Sequence, residues 1–243
     1  MRSLYIKELS SFFSSLTGYI VLVIFLLITG LFMWVFSSTS VINYNYASMG
    51  QLFSIAPLVF LFLIPALTMH SFADEKQKGT MEFLTTKPLT DIQIIGGKYF
   101  ACITLVILAL VPTLIYYFSI YKLGNPPGNL DNGGVIGSYI GLMFLIMVYV
   151  AVGIFMSSLT ENQIVAFILS AFACFILYFS FSFLSEMPLF FGKWDDFVKA
   201  LGLEYHYDNI SKGRLDSRDV IYFLSVSGFF IWLTIVSLDR RRW

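Results

Sequence analysis

Residues Leu52 to His70 read LFSIAPLVFLFLIPALTMH. This stretch contains no Asp, Glu, Lys or Arg. A helix of this length, rising about 1.5 Å per residue, matches the roughly 30 Å hydrocarbon core of a bilayer. An isolated strand would leave backbone groups unpaired in lipid, and the stretch lacks the alternation of a barrel strand. It therefore predicts a transmembrane helix.

Five further apolar runs of similar length lie on either side of it. The whole chain agrees, because 58% of its 243 residues are apolar and only 12% are charged, whereas a soluble domain has about 25% charged residues. We predict an all-α polytopic membrane protein, with residues 1–243 forming a single six-helix transmembrane domain. The first run is too long for the core of a cleaved signal, so we interpret it as a span. The other spans are expected near Tyr19 to Phe36, Tyr99 to Tyr121, Val135 to Ser158, Ile164 to Leu184 and Val220 to Leu238.

Composition and charge disfavour several classes of function. The 15 Lys and Arg balance the 15 Asp and Glu, so no basic surplus exists for nucleic acid. Cys102 and Cys174 lie in apolar runs without disulfide or zinc spacing. No run contains Asp, Glu, Lys or Arg, which disfavours ion-coupled carriers and intramembrane enzymes. We expect no catalytic residue, metal or cofactor in this chain, and we expect another protein to drive it from a loop.

The positions of Lys and Arg predict the orientation. With both termini in the cytoplasm, nine of these residues are cytoplasmic and six are outside. Five of the six outside residues lie in the long loop 185–219, which also holds seven acids, and long loops cross membranes with less regard to charge. We therefore expect both termini inside, with Lys76 and Arg240 to Trp243 cytoplasmic and Ser38 and Asp208 outside.

The segment before the first span has the pattern of an amphipathic helix. Polar residues repeat on the face opposite to the apolar one. We expect an elbow helix over residues 1–16 that lies on the cytoplasmic surface; the alternative is a soluble extension packed on other loops. The apolar positions are Tyr5, Leu9, Phe12, Phe13 and Leu16, and the polar ones are Ser3, Lys7, Ser10 and Ser14.

Prolines and aromatic residues within the spans leave alternatives open. Pro57, Pro65 and Pro112 permit either hinges or simple kinks. The aromatic residues of span five could line a path for an apolar cargo, although lipid contact explains them equally well. They are Phe167, Phe172, Phe175, Tyr178, Phe179, Phe181 and Phe183.

Glycines recur at the start of span four. Gly133, Gly137 and Gly141 form overlapping GxxxG spacings, which suit the close approach of another helix. The spacing does not distinguish a seam between subunits from packing within one chain.

The loop between spans two and three is the most informative. From Phe72 to Lys98 it reads FADEKQKGTMEFLTTKPLTDIQIIGGK. Gly79 breaks the preceding turn, and Thr80 can cap a short helix that Pro88 ends. Thr90 and Gln93 form a capping box that opens span three. The ending GGK is not a phosphate-binding loop, because the first glycine of GxxxxGK would have to replace Ile92.

These residues resemble a known family. The Phe72 to Lys98 pattern resembles the coupling region of ABC-2 type ABC transporter permeases, and the resemblance extends over essentially the whole chain. The segment from His206 to Gly213, the segment from Asp216 to Phe223 and the ending LDRRRW are similar to that family's approach to its last helix. Within the family the chain is most similar to the gliding-motility permeases of the GldF type, with the permeases of nitrous-oxide reductase maturation as near relatives.

The resemblance implies further structure. It implies an elbow helix at residues 1–16, a coupling helix near residues 74–87 and two short helices within the loop 185–219. In that loop Phe191, Trp194, Phe197, Val198 and Leu201 have amphipathic spacing, and the alternative is a cap that only seals the bundle.

The function implied is that of a permease subunit in the bacterial inner membrane, exporting a solute or doing other transmembrane work. A separate cytoplasmic ABC ATPase would bind ATP and Mg²⁺, and a second permease chain, identical or related, would complete the complex. Rival functions are an ATPase-driven scaffold that acts on a periplasmic partner, and a passive channel. The residues expected to contact the ATPase are Asp74, Glu75, Lys76, Lys78, Gly79, Thr80, Met81, Glu82, Phe83, Leu84 and Lys87.

Overall fold

The computed structural model describes residues 1–44, 46–81, 90–187 and 195–239. Helices and connecting turns make up these residues, and six segments are long and apolar enough to cross a membrane. The predicted all-α fold with six spans is therefore confirmed. The spanning segments are Gly18–Val35, Gly50–Gln77, Asp91–Leu123, Asn132–Leu159, Gln163–Ser185 and Ser217–Asp239.

Several spans are built from more than one helix. Span one is an α-helix followed by a π-helical turn, span three contains a 3-10 turn, and span five contains a second π-helical turn. The spanning helices are Leu16–Gly30 with Leu31–Val35, Gly50–Thr68, Asp91–Leu110 with Val111–Thr113 and Leu114–Leu123, Asn132–Leu159, Gln163–Phe175 with Ile176–Ser180 and Phe181–Ser185, and Ser217–Asp239. The shorter helices are Arg2–Ser14, Val41–Tyr44, Ala73–Gln77, Asp195–Lys199 and Leu203–Ser211.

Span four is the centre of the bundle. It packs against spans two, three, five and six, and 67% of the residues in its most apolar window are buried. The buried share of the same window is only 28% in spans one and five and 17% in span six. Most apolar residues of these three spans therefore face away from the rest of the chain. Spans two, three and four contribute most side chains of the core, such as Phe60, Leu105 and Tyr149, and the other spans add a few, such as Phe25 and Phe223. The aromatic residues of span five divide accordingly, with Tyr178 buried and Phe172 exposed.

Long-range hydrogen bonds group the loops at two ends of the bundle. The near end comprises residues 1–14, 69–81, 90–98 and 157–163, and the C-terminus of span six joins it where Ser237 Oγ donates to the Ser158 carbonyl. The far end comprises residues 36–44, 46–50, 123–138 and 195–219, where Ser138 Oγ donates to the Ser211 carbonyl and residues of the first three ranges line a common cavity. These groups match the predicted sides of the loops relative to one another. Which end faces the cytoplasm stays a prediction.

The glycine pattern of span four is used within the chain. Gly137 lies against the Ile210 carbonyl, and Gly141 lies against the Tyr207 ring, so a β-carbon at either position would be crowded by the helix Leu203–Ser211. That helix is held further by Tyr207, whose hydroxyl donates to the Phe53 carbonyl at 2.8 Å. The small residues therefore seat a short helix of the same chain on span four.

Only one of the three span prolines coincides with a break in its helix. Pro112 lies in the 3-10 turn Val111–Thr113, which divides span three. Pro57 and Pro65 both lie inside the uninterrupted helix Gly50–Thr68. The neighbouring spans accommodate them, because both prolines are buried.

The N-terminal helix differs in detail from the predicted one. It covers Arg2–Ser14, and its fully buried side chains are Leu4 and Phe12. Phe13 and Leu16, two residues of the predicted apolar face, are exposed, and contact of this face with the membrane surface stays a prediction. The other side of the helix packs on the start of span three, where it meets Gly96 and Gly97.

Candidate functional site

The segment that leaves span two at the near end is bonded to the end of span four. The backbone N–H groups of Phe72 and Ala73 both donate to Ser157 Oγ, at 3.0 and 3.1 Å. Ser157 Oγ in turn donates to the Met69 carbonyl at 3.0 Å. One buried hydroxyl thus satisfies three backbone groups and sets the direction in which the chain continues.

A short helix, Ala73–Gln77, follows this turn. It ends in a Schellman motif: the Gly79 N–H donates to the Lys76 carbonyl, and the Thr80 N–H donates to the Glu75 carbonyl. Gly79 has a φ of 65°, which a residue with a side chain adopts only under strain. The expected break at Gly79 is therefore present, and the helix before it has a defined end.

The helix Ala73–Gln77 is also attached to the turn between spans four and five. Gln163 Nε2 donates to Asp74 Oδ1 at 2.6 Å, and the Lys76 ammonium donates to the Ser158 carbonyl. Lys78 forms an ion pair with Asp74 at 2.8 Å. Polar side chains on one side of the short helix thus bind two other elements of the near end.

A buried charge cluster joins the same helix to span three and to the N-terminal helix. Lys98 Nζ lies 2.9 Å from Glu75 Oε1 and 3.2 Å from Glu8 Oε1. The Lys98 side chain is only 2% exposed, and its ammonium also lies 5.2 Å from the centre of the Phe72 ring. Three segments that are far apart in the sequence therefore meet at one ammonium group.

The charges of this cluster are not fully paired inside the protein. Two carboxylates face one buried ammonium, and the second cation, Lys7, is 61% exposed and lies 3.9 Å from Glu75. Within the described part of the chain, Glu75 Oε2 is buried without a hydrogen-bond partner. Removing Lys98 would leave two buried carboxylates without their main partner, which is a costly arrangement.

The opposite side of the short helix and the turn after it face solvent. Gln77, Lys78, Gly79 and Thr80 are exposed, and Met81 is half-buried against the core. The near end thus presents a small polar surface whose underside is bonded to the bundle. We call residues 77–81 the exposed turn.

The sequence-predicted contact residues divide into two groups. Asp74, Glu75 and Lys76 point toward the bundle and hold the short helix in place, whereas the exposed turn faces solvent. Glu82, Phe83, Leu84 and Lys87, with most of the expected helix 80–87, lie outside the described residues. Within the described residues the helix of this region is Ala73–Gln77, which the sequence interpretation did not separate from the longer segment.

The partners that hold the site together were not predicted from the sequence. Lys98 lies, as expected, inside the helix Asp91–Leu110, whose start at Thr90 has the predicted capping box, but its pairing with two acids was not expected. Glu8, Ser157 and Gln163 were not singled out. A signal existed for Glu8, because it lies four residues from both Leu4 and Phe12 and therefore on their buried face.

The near end offers hydrogen-bonding and charged side chains. Within the described residues no three His, Cys, Asp or Glu side chains lie close enough to hold a metal ion. Cys102 is buried and free, as is Cys174. The exposed turn follows a short helix that is attached by hydrogen bonds to spans three, four and five.

The far end contains a cavity of about 750 Å³. It lies between the loop after span one, the end of span three and the start of span four. Its lining includes the apolar side chains of Met49, Phe53 and Ile120, and Asp131 carries the one carboxylate among the described residues that line it.

Comparison with known proteins agrees with this architecture. A family model described as "ABC-2 family transporter protein" matches residues 35–198, which is more than half of the 243-residue chain. No curated protein matches the chain. The match extends from the end of span one to the far-end loop before span six, and so includes the short helix and the exposed turn. The chain therefore belongs to the ABC-2 family of transporter proteins and is a multi-pass membrane subunit of that kind.

Proposed function

We propose that this chain is the permease subunit of an ABC complex and that a separate cytoplasmic ATPase drives it through the exposed turn. Membership of the family implies association with an ABC ATPase subunit. In this proposal the ATPase carries the ATP and Mg²⁺, while residues 77–81 and the segment up to Lys87 form its docking surface. The near end is then cytoplasmic, both termini lie inside, and the membrane is the bacterial inner membrane.

The observation that carries the proposal is the two-sided construction of the helix Ala73–Gln77. Its inner side is fixed to span three by Glu75, to span four by Lys76 and to the start of span five by Asp74. Its outer side and the following turn are exposed. A force applied to the exposed turn is therefore delivered to several spans at once, which a flexible connector would not do.

The complex requires a second permease chain. Spans one, five and six leave most of their apolar residues exposed, and a partner chain in the membrane can cover part of that surface. We propose an identical chain or a related subunit with a periplasmic domain. By its resemblance to GldF-type permeases, we propose that the complex serves gliding motility.

The rival proposal is an ATPase-driven scaffold that acts on a periplasmic partner without moving a solute. It is favoured by the dense packing of span four, where Leu145, Tyr149 and Ile154 are almost completely buried. A solute route would then have to lie between chains. Transport by the reconstituted complex distinguishes the two proposals, because only a permease for a solute depletes it from one side of the membrane.

Capture of the native complex tests the main proposal. The chain carries an affinity tag, the complex is purified from native membranes, and its proteins and lipids are identified by mass spectrometry. We expect a protein with a phosphate-binding loop to be present in a fixed ratio, with vanadate-sensitive ATP hydrolysis. Recovery of the chain without any ATPase would contradict the proposal.

Two substitutions locate the docking surface. Phe83→Asp places a charge in the expected apolar contact, so we expect the ATPase to be lost while the permease remains in the membrane in normal amounts. Glu82→Ala removes one charge, and we expect a smaller loss, mainly in ATPase stimulation. The matched control is Phe197→Asp, an exposed position at the far end. Full recovery of the ATPase with Phe83→Asp would show that the loop is only a connector.

A further inference from the structure

We propose that Lys98 is a positioning residue that transmits movement of the helix Ala73–Gln77 to the N-terminal helix and from there to span one. This inference rests on the proposed function, because an ATPase must first move the exposed turn. It assigns a role to a buried cation that lies outside the proposed docking surface. It also names the span that should respond first.

The geometry of the cluster formed by Glu8, Glu75 and Lys98, which we call the joint, supports this role. Glu75 comes from the short helix, Glu8 from the N-terminal helix, and the Lys98 ammonium between them from span three. The ammonium lies within hydrogen-bond distance of both carboxylates, at 3.2 and 2.9 Å, so it is shared rather than paired with one of them. Without Lys98, the two carboxylates would repel each other across the same small volume.

Burial makes the joint stiff. A charge pair in a poorly hydrated interior is expensive to separate, because water does not replace the lost partner. Lys98 is 2% exposed and the Phe72 ring lies beside its ammonium. When Glu75 moves, it is therefore more favourable for Lys98 and Glu8 to follow than for the cluster to open.

The N-terminal helix is well placed to carry the movement further. It packs on span three where Leu4 contacts Gly97, and the hydroxyl of Tyr5 shares a hydrogen bond of 3.0 Å with Thr104. After Ser15 the chain continues directly into span one at Leu16. The connection between the N-terminal helix and span one is closely packed, since a β-carbon at Gly18 would meet the Phe12 carbonyl.

Span one can tilt because few of its side chains are packed against the rest of this chain. It packs against spans two and three, and only 28% of the residues in its most apolar window are buried in this chain. A tilt of span one therefore breaks few internal contacts, whereas a tilt of span four would disrupt the whole core. The joint thus connects the docking surface to one of the most weakly packed spans.

Spin labels at the far end measure the movement without knowledge of the cargo. Ser38→Cys lies after span one and Asn129→Cys lies before span four, and both positions are exposed, whereas Cys102 and Cys174 are buried. The captured complex is placed in nanodiscs, and the distance between the labels is compared without nucleotide and after trapping with ATP and vanadate. We expect the distance to change in the otherwise unsubstituted complex.

The Lys98 variants then test the inference. With Lys98→Met we expect the same amount of ATPase and the same rate of ATP hydrolysis, but no nucleotide-dependent change of distance. Lys98→Arg keeps the charge and should restore the change. Lys7→Met removes an exposed lysine charge next to the same acids, and as the matched control it should leave the change intact.

A further variant covers a failure to assemble. If the Lys98→Met chain does not assemble because two neighbouring carboxylates are left without the ammonium, the double variant Lys98→Met, Glu8→Gln removes one of those charges and leaves Glu75 beside Lys7. We expect it to assemble and hydrolyse ATP without the change of distance. A normal change in either variant, or none in the unsubstituted complex that hydrolyses ATP, would overturn the inference. Capture of no ATPase by the unsubstituted chain would instead overturn the proposed function.

Discussion

Gly153 of span four lies directly against Thr68 of span two, so that a β-carbon at residue 153 would overlap the threonine hydroxyl oxygen. Thr68 has little freedom to move away, because it is fully buried and its hydroxyl donates to the Ile64 carbonyl at 3.0 Å. The contact lies one helical turn from Ser157, which anchors Phe72. The seam between spans two and four therefore determines where the short helix Ala73–Gln77 begins.

Gly153→Ala should loosen this seam. The added methyl forces the two spans apart or rotates Thr68, and overpacking of this kind costs about 1–3 kcal/mol. We expect a lower melting temperature for the purified chain in detergent, measured by size-exclusion chromatography after heating. Gly228→Ala is the matched control, because a β-carbon there meets nothing within 4 Å. Equal melting temperatures for the two variants would show that the seam tolerates a methyl group.

The orientation of the near end is open to a direct test. Lys78 is exposed at the near end and Asp216 is exposed at the far end, so a single cysteine at either position is accessible from one side of the membrane only. With termini inside, an impermeant maleimide added to intact cells should label Asp216→Cys and not Lys78→Cys, while both should react after permeabilisation. Labelling of position 78 alone in intact cells would show that the near end lies outside, opposite to the predicted orientation.

The features that were predicted from sequence are those encoded locally. Six runs of sufficient length give six spans, and the Thr90 and Gln93 pair gives a capping box, because a cap needs only residues three positions apart. The same holds for Gly79, whose positive φ ends the helix Ala73–Gln77. Hydrophobic length and turn chemistry are properties of a short stretch of chain.

The features that were missed depend on pairs far apart in the chain. Lys98 bonds to Glu75, 23 residues earlier, and to Glu8, 90 residues earlier, and no periodicity connects them. Lys98 was expected in the helix that opens at Thr90, but nothing near it in the sequence indicated that its side chain would be buried and paired. The glycines of span four show the same limit, since Gly137 indicated a close contact but not its partner, the helix Leu203–Ser211.

Purified alone, the chain should neither bind nor hydrolyse ATP. No GxxxxGK sequence occurs in it, and Gly96, Gly97 and Lys98 lie within a helix that begins at Asp91 rather than in a phosphate-binding loop. Equilibrium binding of a fluorescent ATP analogue to the chain in detergent is the measurement. Affinity in the micromolar range, with Mg²⁺ present, would contradict the division of labour between permease and ATPase.

The far end contains a second buried polar pair, which holds the helix Leu203–Ser211 to the start of span six. His206 Nδ1 lies 2.6 Å from Asp219 Oδ1, and His206 Nε2 lies 2.8 Å from the Ala200 carbonyl. A carbonyl only accepts, so Nε2 carries a hydrogen, and a second hydrogen lies between the ring and the carboxylate. The pair is therefore neutral as a unit. The His206 ring also stacks on the Tyr222 ring, with 3.9 Å between the ring centroids.

His206→Phe should release this part of the far end. Phenylalanine keeps an aromatic ring beside Tyr222 but leaves Asp219, which is 4% exposed, without its partner, at a cost of about 3 kcal/mol. We expect faster trypsin cleavage after Lys212 and Arg214 in sealed vesicles that expose the far end. The double variant His206→Phe, Asp219→Leu removes the stranded carboxylate and should recover most of the protection, because the apolar pair can pack in the same space. Cleavage of His206→Phe at the unsubstituted rate would mean that Tyr207 and the glycines of span four hold the helix without the pair.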